Sequence, residues 1–203
     1  PEQCLRGLRD LCDEHGVLII FDEVQCGMGR TGKLWAHEWA GMAPDIMAVA
    51  KALGGGFPIG ACLASAKAAK GMTVGVHGST FGGNPLAMAV GQKALSLINS
   101  PETLNNVNEV AGYLKQQFAG LQERFPDVIA DVRGKGLLIG IKMVPNNREF
   151  MALARDTQQL LIAGGGDNCV RLLPPLNLTL DEAREAVARF EAACEVAREK
   201  LAA

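Results

Sequence analysis

Two short apolar runs, each stopped by a charged group, constrain this chain most. Val17-Leu18-Ile19-Ile20-Phe21 ends at Asp22-Glu23-Val24-Gln25. Ile46-Met47-Ala48-Val49-Ala50 ends at Lys51, and Gly54-Gly55-Gly56 then turns the chain. Such runs have the length of strands and the composition of a sheet covered on both faces. A helix leads into the first. Leu5, Leu8, Leu11 and Cys12 share one face of 1–15, Pro1 suits the first turn and Gly16 the left-handed end. A helix and a strand joined by one residue predict an α/β fold. Ligands in open α/β sheets sit at the carboxyl ends of strands, so an acid and an amine there point to a site.

A lysine in apolar surroundings gives up its proton more readily, because desolvation disfavours the ammonium. The neutral amine can condense with an aldehyde. An acid beside it can keep the ring nitrogen of pyridoxal phosphate protonated, which makes that ring an electron sink. The same residues also fit a structural Asp at a turn and a solvated Lys. The pattern alone leaves both open.

Gly27-x-Gly29-x-x-Gly32 matches a dinucleotide fingerprint, and Gly27 to Lys33 the start of a P-loop. Both matches are weak. The glycines do not follow the strand directly, and Leu34 stands where a P-loop needs Ser or Thr for magnesium. A flexible glycine loop with Arg30 in solvent is the expectation. Leu34 to Gly41 reads as a short helix with Trp35 and Trp39 as a core pair, and 60–64 as a third strand. His77 to Gly83 is rich in small and hydroxyl residues whose N–H groups can cradle a phosphate, though an ordinary glycine turn fits equally. His77 reads as a loop histidine. Asn84 and Pro85 then open a helix.

Ser100-Pro101-Glu102 opens another helix and marks the expected domain boundary, giving units 1–99 and 100–203. From there Leu104, Val107, Ala111, Leu114, Phe118, Leu121 and Phe125 form one apolar stripe. Strands are predicted over 128–132 and 137–143, linked by Arg133-Gly134-Lys135-Gly136, with a helix over 146–162 and a strand over 169–173. Thr179 and Glu182 form a capping box before the last helix, whose inward face carries Ala183, Val187, Phe190, Cys194, Ala197 and Leu201. The second unit thus reads as a small α/β domain.

Hydrophobic residues make up 48% of the 203, ample for a core, and a net charge of −2 argues against a nucleic-acid partner. No apolar run approaches the ~20 residues of a membrane helix. The start at Pro1, without Met or a basic leader, reads as no signal peptide and as a cut or missing upstream portion. Six cysteines without metal-ligand spacing read as buried reduced thiols of a cytoplasmic protein, and three scattered histidines indicate no metal site.

Four segments, in order along the chain, carry a resemblance to the class III (ornithine-type) aminotransferases. Phe21-Asp22-Glu23-Val24-Gln25-Cys26-Gly27 resembles the family's cofactor-ring motif. Ala50-Lys51-Ala52-Leu53-Gly54-Gly55-Gly56, after Pro44-Asp45-Ile46, resembles its lysine motif. His77-Gly78-Ser79-Thr80-Phe81-Gly82-Gly83-Asn84-Pro85 resembles the segment that reaches the cofactor phosphate across a dimer. Val170-Arg171-Leu172-Leu173-Pro174-Pro175 resembles the carboxylate-arginine segment of the acetylornithine branch. Cys26 stands where the family commonly has Thr. Within the class the nearest resemblance is to acetylornithine/succinyldiaminopimelate aminotransferases.

The resemblance implies a fold-type I pyridoxal-phosphate transferase: part of a large-domain sheet plus a small C-terminal α/β domain. It implies pyridoxal 5'-phosphate held by Lys51, with Asp22, Glu23, Val24, Gln25 and Thr80 as cofactor contacts, and Ser79 and Arg171 at the substrate. The expected reaction transfers an amino group from N-acetylornithine to 2-oxoglutarate, in arginine biosynthesis, within a homodimer that shares its sites. Ornithine or 4-aminobutyrate specificity, an aminomutase or decarboxylase, and a non-catalytic fragment that packs with a partner are the alternatives. Family members are about twice this length, so the chain resembles a second half and is expected to be poorly active alone.

Overall fold

In the computed structural model, which describes residues 2–202, helix α1 spans Glu2–Glu14 and strand β1 only Ile20–Asp22. The expected place of Pro1 in the first turn lies outside the described residues. Strand β2 (Ile46–Val49) runs parallel to β1, with Ile20 opposite Ile46 and Asp22 opposite Ala48. Strand β3 (Ala61–Ala64) returns antiparallel, with Ala61 opposite Val49, and the sheet order is β1-β2-β3. Two 3-10 turns, Ala36–Ala40 and Lys51–Leu53, sit in the connections. After the short α2 (Ala66–Ala69), α3 (Pro85–Ile98) starts as predicted. Asn84 Oδ1 accepts the Ala87 N–H and Pro85 takes the first helical position.

The first strand departs from expectation. Val17, Leu18 and Ile20 are 54%, 40% and 64% exposed, and of the run only Ile19 is buried. Helix α1 likewise has no buried residue, and Leu8 and Leu11 lie in the open. A strand is covered on both faces only where a layer packs on each. Three strands with few helices against them do not provide two layers. Trp35 and Trp39 are half-buried rather than a core pair, and Trp39 Nε1 donates to the Thr31 carbonyl at 3.2 Å.

The chain divides into two compact units, up to Leu104 and from Asn105. The division falls inside helix α4 (Pro101–Arg124), not at its start. In the second unit β4 (Ile129–Lys135), β5 (Leu138–Met143), β6 (Ala163–Gly164) and β7 (Cys169–Leu172) form an antiparallel sheet in the order β4-β5-β7-β6. Lys135 pairs with Leu138, so the hairpin link is the two residues Gly136 and Leu137, tighter than the sequence suggests. Helices α5 (Asn147–Gln158) and α6 (Leu180–Ala202) complete the unit. The predicted α4 stripe is buried from Val107 to Phe125. It shares one core with Ile139, Ile141 and Met143 of β5, whose burial alternates along the strand. Phe118 meets Phe190 edge-on at 5.2 Å, and Phe150 lies 5.1 Å from Phe190. The Thr179–Glu182 capping box forms in both directions, and Leu201 alone of the predicted inward face of α6 is exposed.

Candidate active site

Parallel pairing of β1 and β2 places Asp22 and Lys51 at the same end of neighbouring strands. Asp22 is the last residue of β1, and the ladder extends one step further through the Glu23 N–H to the Ala48 carbonyl at 2.9 Å. Lys51 stands two residues beyond the end of β2 and begins the 3-10 turn. Its φ is +49°, in the left-handed region that a lysine rarely adopts. The turn closes through Gly54 N–H to the Lys51 carbonyl at 3.0 Å. A Cβ on Gly54 would meet the Phe57 carbonyl oxygen at 1.9 Å, so only glycine fits. Gly91 of α3 lies against Ile59 and Leu53, which backs this turn with a helix.

Asp22 Oδ1 accepts the Val24 N–H at 2.9 Å. Among the described residues the second Asp22 oxygen and the Lys51 amine have no hydrogen-bond or ion-pair partner. Both residues are exposed, so this chain does not supply the apolar enclosure expected around Lys51. An acid with one free oxygen and an amine, at one end of two adjacent parallel strands, with a left-handed backbone at the amine-bearing residue, fit a cofactor that needs a covalent anchor and an acidic partner.

Glu23, grouped with the cofactor contacts from the sequence, is only 2% exposed, and its carboxylate is engaged within this chain. Oε1 accepts the His37 N–H at 2.9 Å and lies 3.0 Å from His37 Nδ1. Oε2 accepts the Ala36 N–H at 2.9 Å and faces the Cys26 thiol at 3.6 Å. Cys26 Sγ also lies 3.4 Å from the Asp22 carbonyl. Burial first, then the charge of Glu23, pushes the Cys26 thiol up to about 11, so it stays a protonated donor at neutral pH. Gln25 is exposed on the same turn. The glycine loop is corrected. Gly27, Met28, Gly29, Thr31 and Gly32 are buried, and Arg30 is half-buried, which lowers its pKa from the ordinary guanidinium value.

Ser79 and Thr80 lie in an exposed stretch, 71–83. Ser79 Oγ accepts the Gly82 N–H at 2.9 Å, and no hydrogen bond joins Ser79 or Thr80 to Asp22 or Lys51. His77 is exposed there too. In the second unit Arg171 is half-buried on β7, and its Nε donates to the Gly164 carbonyl at 2.8 Å. Arg171 borders an opening of about 590 Å³ with Arg148, Met151, Asn168 and Gly164 to Gly166, and an apolar cavity of about 470 Å³. All six cysteines are free, but only Cys169 and Cys194 are buried, against the expectation of buried thiols throughout. Among the described residues no cluster of His, Cys, Asp or Glu is arranged for a metal. The buried Glu23–His37 pair was not foreseen. A polar pair 14 residues apart has no periodicity to announce it.

Residues 1–194 match the family described as Aminotransferase class-III. Acetylornithine aminotransferase 2 of Caulobacter vibrioides is 74% identical over 204 residues, which cover 100% of this chain and 50% of that protein. The acetylornithine aminotransferase of Brucella melitensis is 55% identical over 195 residues, 96% of this chain and 48% of that one. The crystal structure of N-acetylornithine aminotransferase from Stenotrophomonas maltophilia superposes with a TM-score of 0.85 at 39% identity, covering 98% of this chain and 52% of that chain. An ornithine aminotransferase from Toxoplasma gondii superposes with a TM-score of 0.90 at 29% identity over 97% of this chain and 47% of that chain, and its structure is described with partial occupancy of PLP at the active site. The chain spans about half the length of these relatives. With its mixed helix-and-sheet architecture and these neighbours of fold-type I, the chain belongs to the class-III aminotransferase family.

Proposed function

We propose that this chain is the cofactor-lysine half of a pyridoxal-phosphate-dependent aminotransferase that moves an amino group from N-acetylornithine to 2-oxoglutarate, a reaction of arginine biosynthesis. The observation that carries the proposal is the parallel register that brings Asp22 and Lys51 to one end of adjacent strands. The names of the relatives favour acetylornithine over ornithine or 4-aminobutyrate. The cofactor, when bound, supplies an aldehyde for an amine and a ring that accepts electrons from the substrate's α-carbon. Lys51 holds it and, once released, moves a proton to and from that carbon. Asp22 holds a proton at the ring nitrogen through a charge-assisted bond. Gln25 contacts the ring's phenolic oxygen, and Val24 steadies Asp22 through its N–H. Thr80 binds phosphate, Ser79 lies near the substrate, and Arg171 offers its planar fork to the α-carboxylate.

The active form is a homodimer in the cytoplasm, with Thr80 serving the neighbouring subunit. The exposed apolar side chains on both sides of Thr80 support this: Met72, Val74, Val76 and Phe81 are 57% exposed or more. Free cysteines fit a reducing compartment. The bare sheet favours a second reading for the isolated 203 residues, a chain that is inactive until it packs with the remainder of the fold. Fusion to the first half of the Caulobacter relative tests both. Turnover of N-acetylornithine with 2-oxoglutarate close to that of the intact relative, and none by the chain alone, is the expected result. A folded, cofactor-loaded fusion without turnover contradicts the proposal.

A further inference from the structure

Asp22 closes the three-residue strand β1 with its side chain exposed, and a partner for a ring nitrogen needs a defined direction. The residue after Asp22 has the equipment to set it. The Glu23 carboxylate is 2% exposed, and a buried carboxylate persists only where donors surround it. Here the donors are the first two N–H groups of the 36–40 turn, the His37 imidazole and the Cys26 thiol. The Glu23 main chain is held as well. Its N–H bonds to Ala48 and its carbonyl accepts the Gly27 N–H at 3.0 Å. A Cβ on Gly27 would come within 2.7 Å of that carbonyl oxygen, so the glycine permits the close return of the chain.

We propose that Glu23 is a positioning residue, whose buried carboxylate, clamped by the 36–37 backbone and the His37 imidazole, fixes the direction of the Asp22 carboxylate. Asp22 is exposed and Glu23 buried, so anchoring the one constrains the backbone that carries the other. The Cys26 thiol, with a single proton to share, lies within reach of both the Glu23 carboxylate at 3.6 Å and the Asp22 carbonyl at 3.4 Å, while the Val24 N–H holds Asp22 Oδ1 directly. This inference rests on the reading of Asp22 as the ring-nitrogen partner.

The test uses Glu23→Gln, which keeps the shape and removes the charge. In the fused enzyme, hydrogen exchange of the 22–26 amides is expected to rise at least tenfold. In the fused enzyme loaded with pyridoxal 5'-phosphate, kcat is expected to fall at least tenfold with KM within twofold. The absorbance of the bound cofactor is expected to shift toward that of Asp22→Asn. A lower melting temperature with unchanged kcat and spectrum would reduce Glu23 to a structural role and overturn the proposal. If Glu23→Gln does not fold, His37→Leu and His37→Asn decide. The first is expected to lose kcat, and the second, which keeps a donor near the Nδ1 position, to recover at least half of the loss. Equal kcat in both, at the wild-type level, overturns the proposal. Asp22→Asn separates the two layers. Normal turnover in that variant removes the underlying reading of the site. An impaired Asp22→Asn beside an unimpaired Glu23→Gln removes only the clamp.

Discussion

Arg171 illustrates how a single side chain is aimed by its backbone. Its Nε is bonded to the Gly164 carbonyl on the neighbouring strand, and its methylenes run past Gly165, where a Cβ would lie 3.2 Å from Arg171 Cγ. The Val170-Arg171-Leu172-Leu173 context singles Arg171 out in the sequence, whereas the glycines' part in steering it was not legible. Arg171→Ala is predicted to raise KM for the amino donor about 10- to 100-fold, the scale of a lost hydrogen bond to a charged group, with a smaller change in kcat. Steady-state kinetics of the fused enzyme check this, and an unchanged KM removes Arg171 from the substrate site. The placement of Asp22 and Lys51 at strand ends was legible, because an ionisable residue ending an apolar run is visible in one dimension. The burial of Glu23 beside an exposed Asp22 was not legible, because it depends on the distant 36–37 backbone.

Asp45 joins three elements. Its Oδ2 accepts the Ile19 N–H ahead of β1 at 2.9 Å and Arg9 Nη1 of α1 at 2.7 Å, while the residue itself leads into β2. The Ile19 N–H foremost, then Arg9, holds this carboxyl below its ordinary range. A lowered folded-state pKa means stability that is present above the ordinary carboxylate value, about 3.9, and is lost as pH falls through the lower folded value. Asp45→Asn is therefore predicted to be less stable than wild type near neutral pH, with the difference shrinking below about pH 3.9. Thermal unfolding as a function of pH measures it, and a constant difference down to acid pH contradicts it. Elements defined by local chemistry were readable in advance: the Asn84-Pro85 start, the Thr179 capping box and the α4 stripe. β1 and the hairpin link were not, since cover and register depend on neighbours. The two-residue β6 is too short to show any period.

The two units differ in how much core this chain gives them. The second buries the α4 stripe, the β5 face, Phe150 and Phe190 in one cluster. The first buries few apolar residues, chiefly Ile19, Met28, Met47 and Val49. It is the first unit that carries the acid and the amine, and the relatives it resembles are about twice as long. The fold class was legible at this scale, whereas the exposure of the sheet was not, because a strand sequence records the layers of the complete fold. Lys51, on the proposal above, anchors the cofactor. The direct measurement is borohydride reduction of the fused enzyme loaded with pyridoxal 5'-phosphate, followed by peptide mass mapping. The predicted result is cofactor mass on the peptide containing Lys51 and none there in Lys51→Ala. Cofactor mass on Lys33, Lys67 or any other lysine, with Lys51 unmodified, would contradict it.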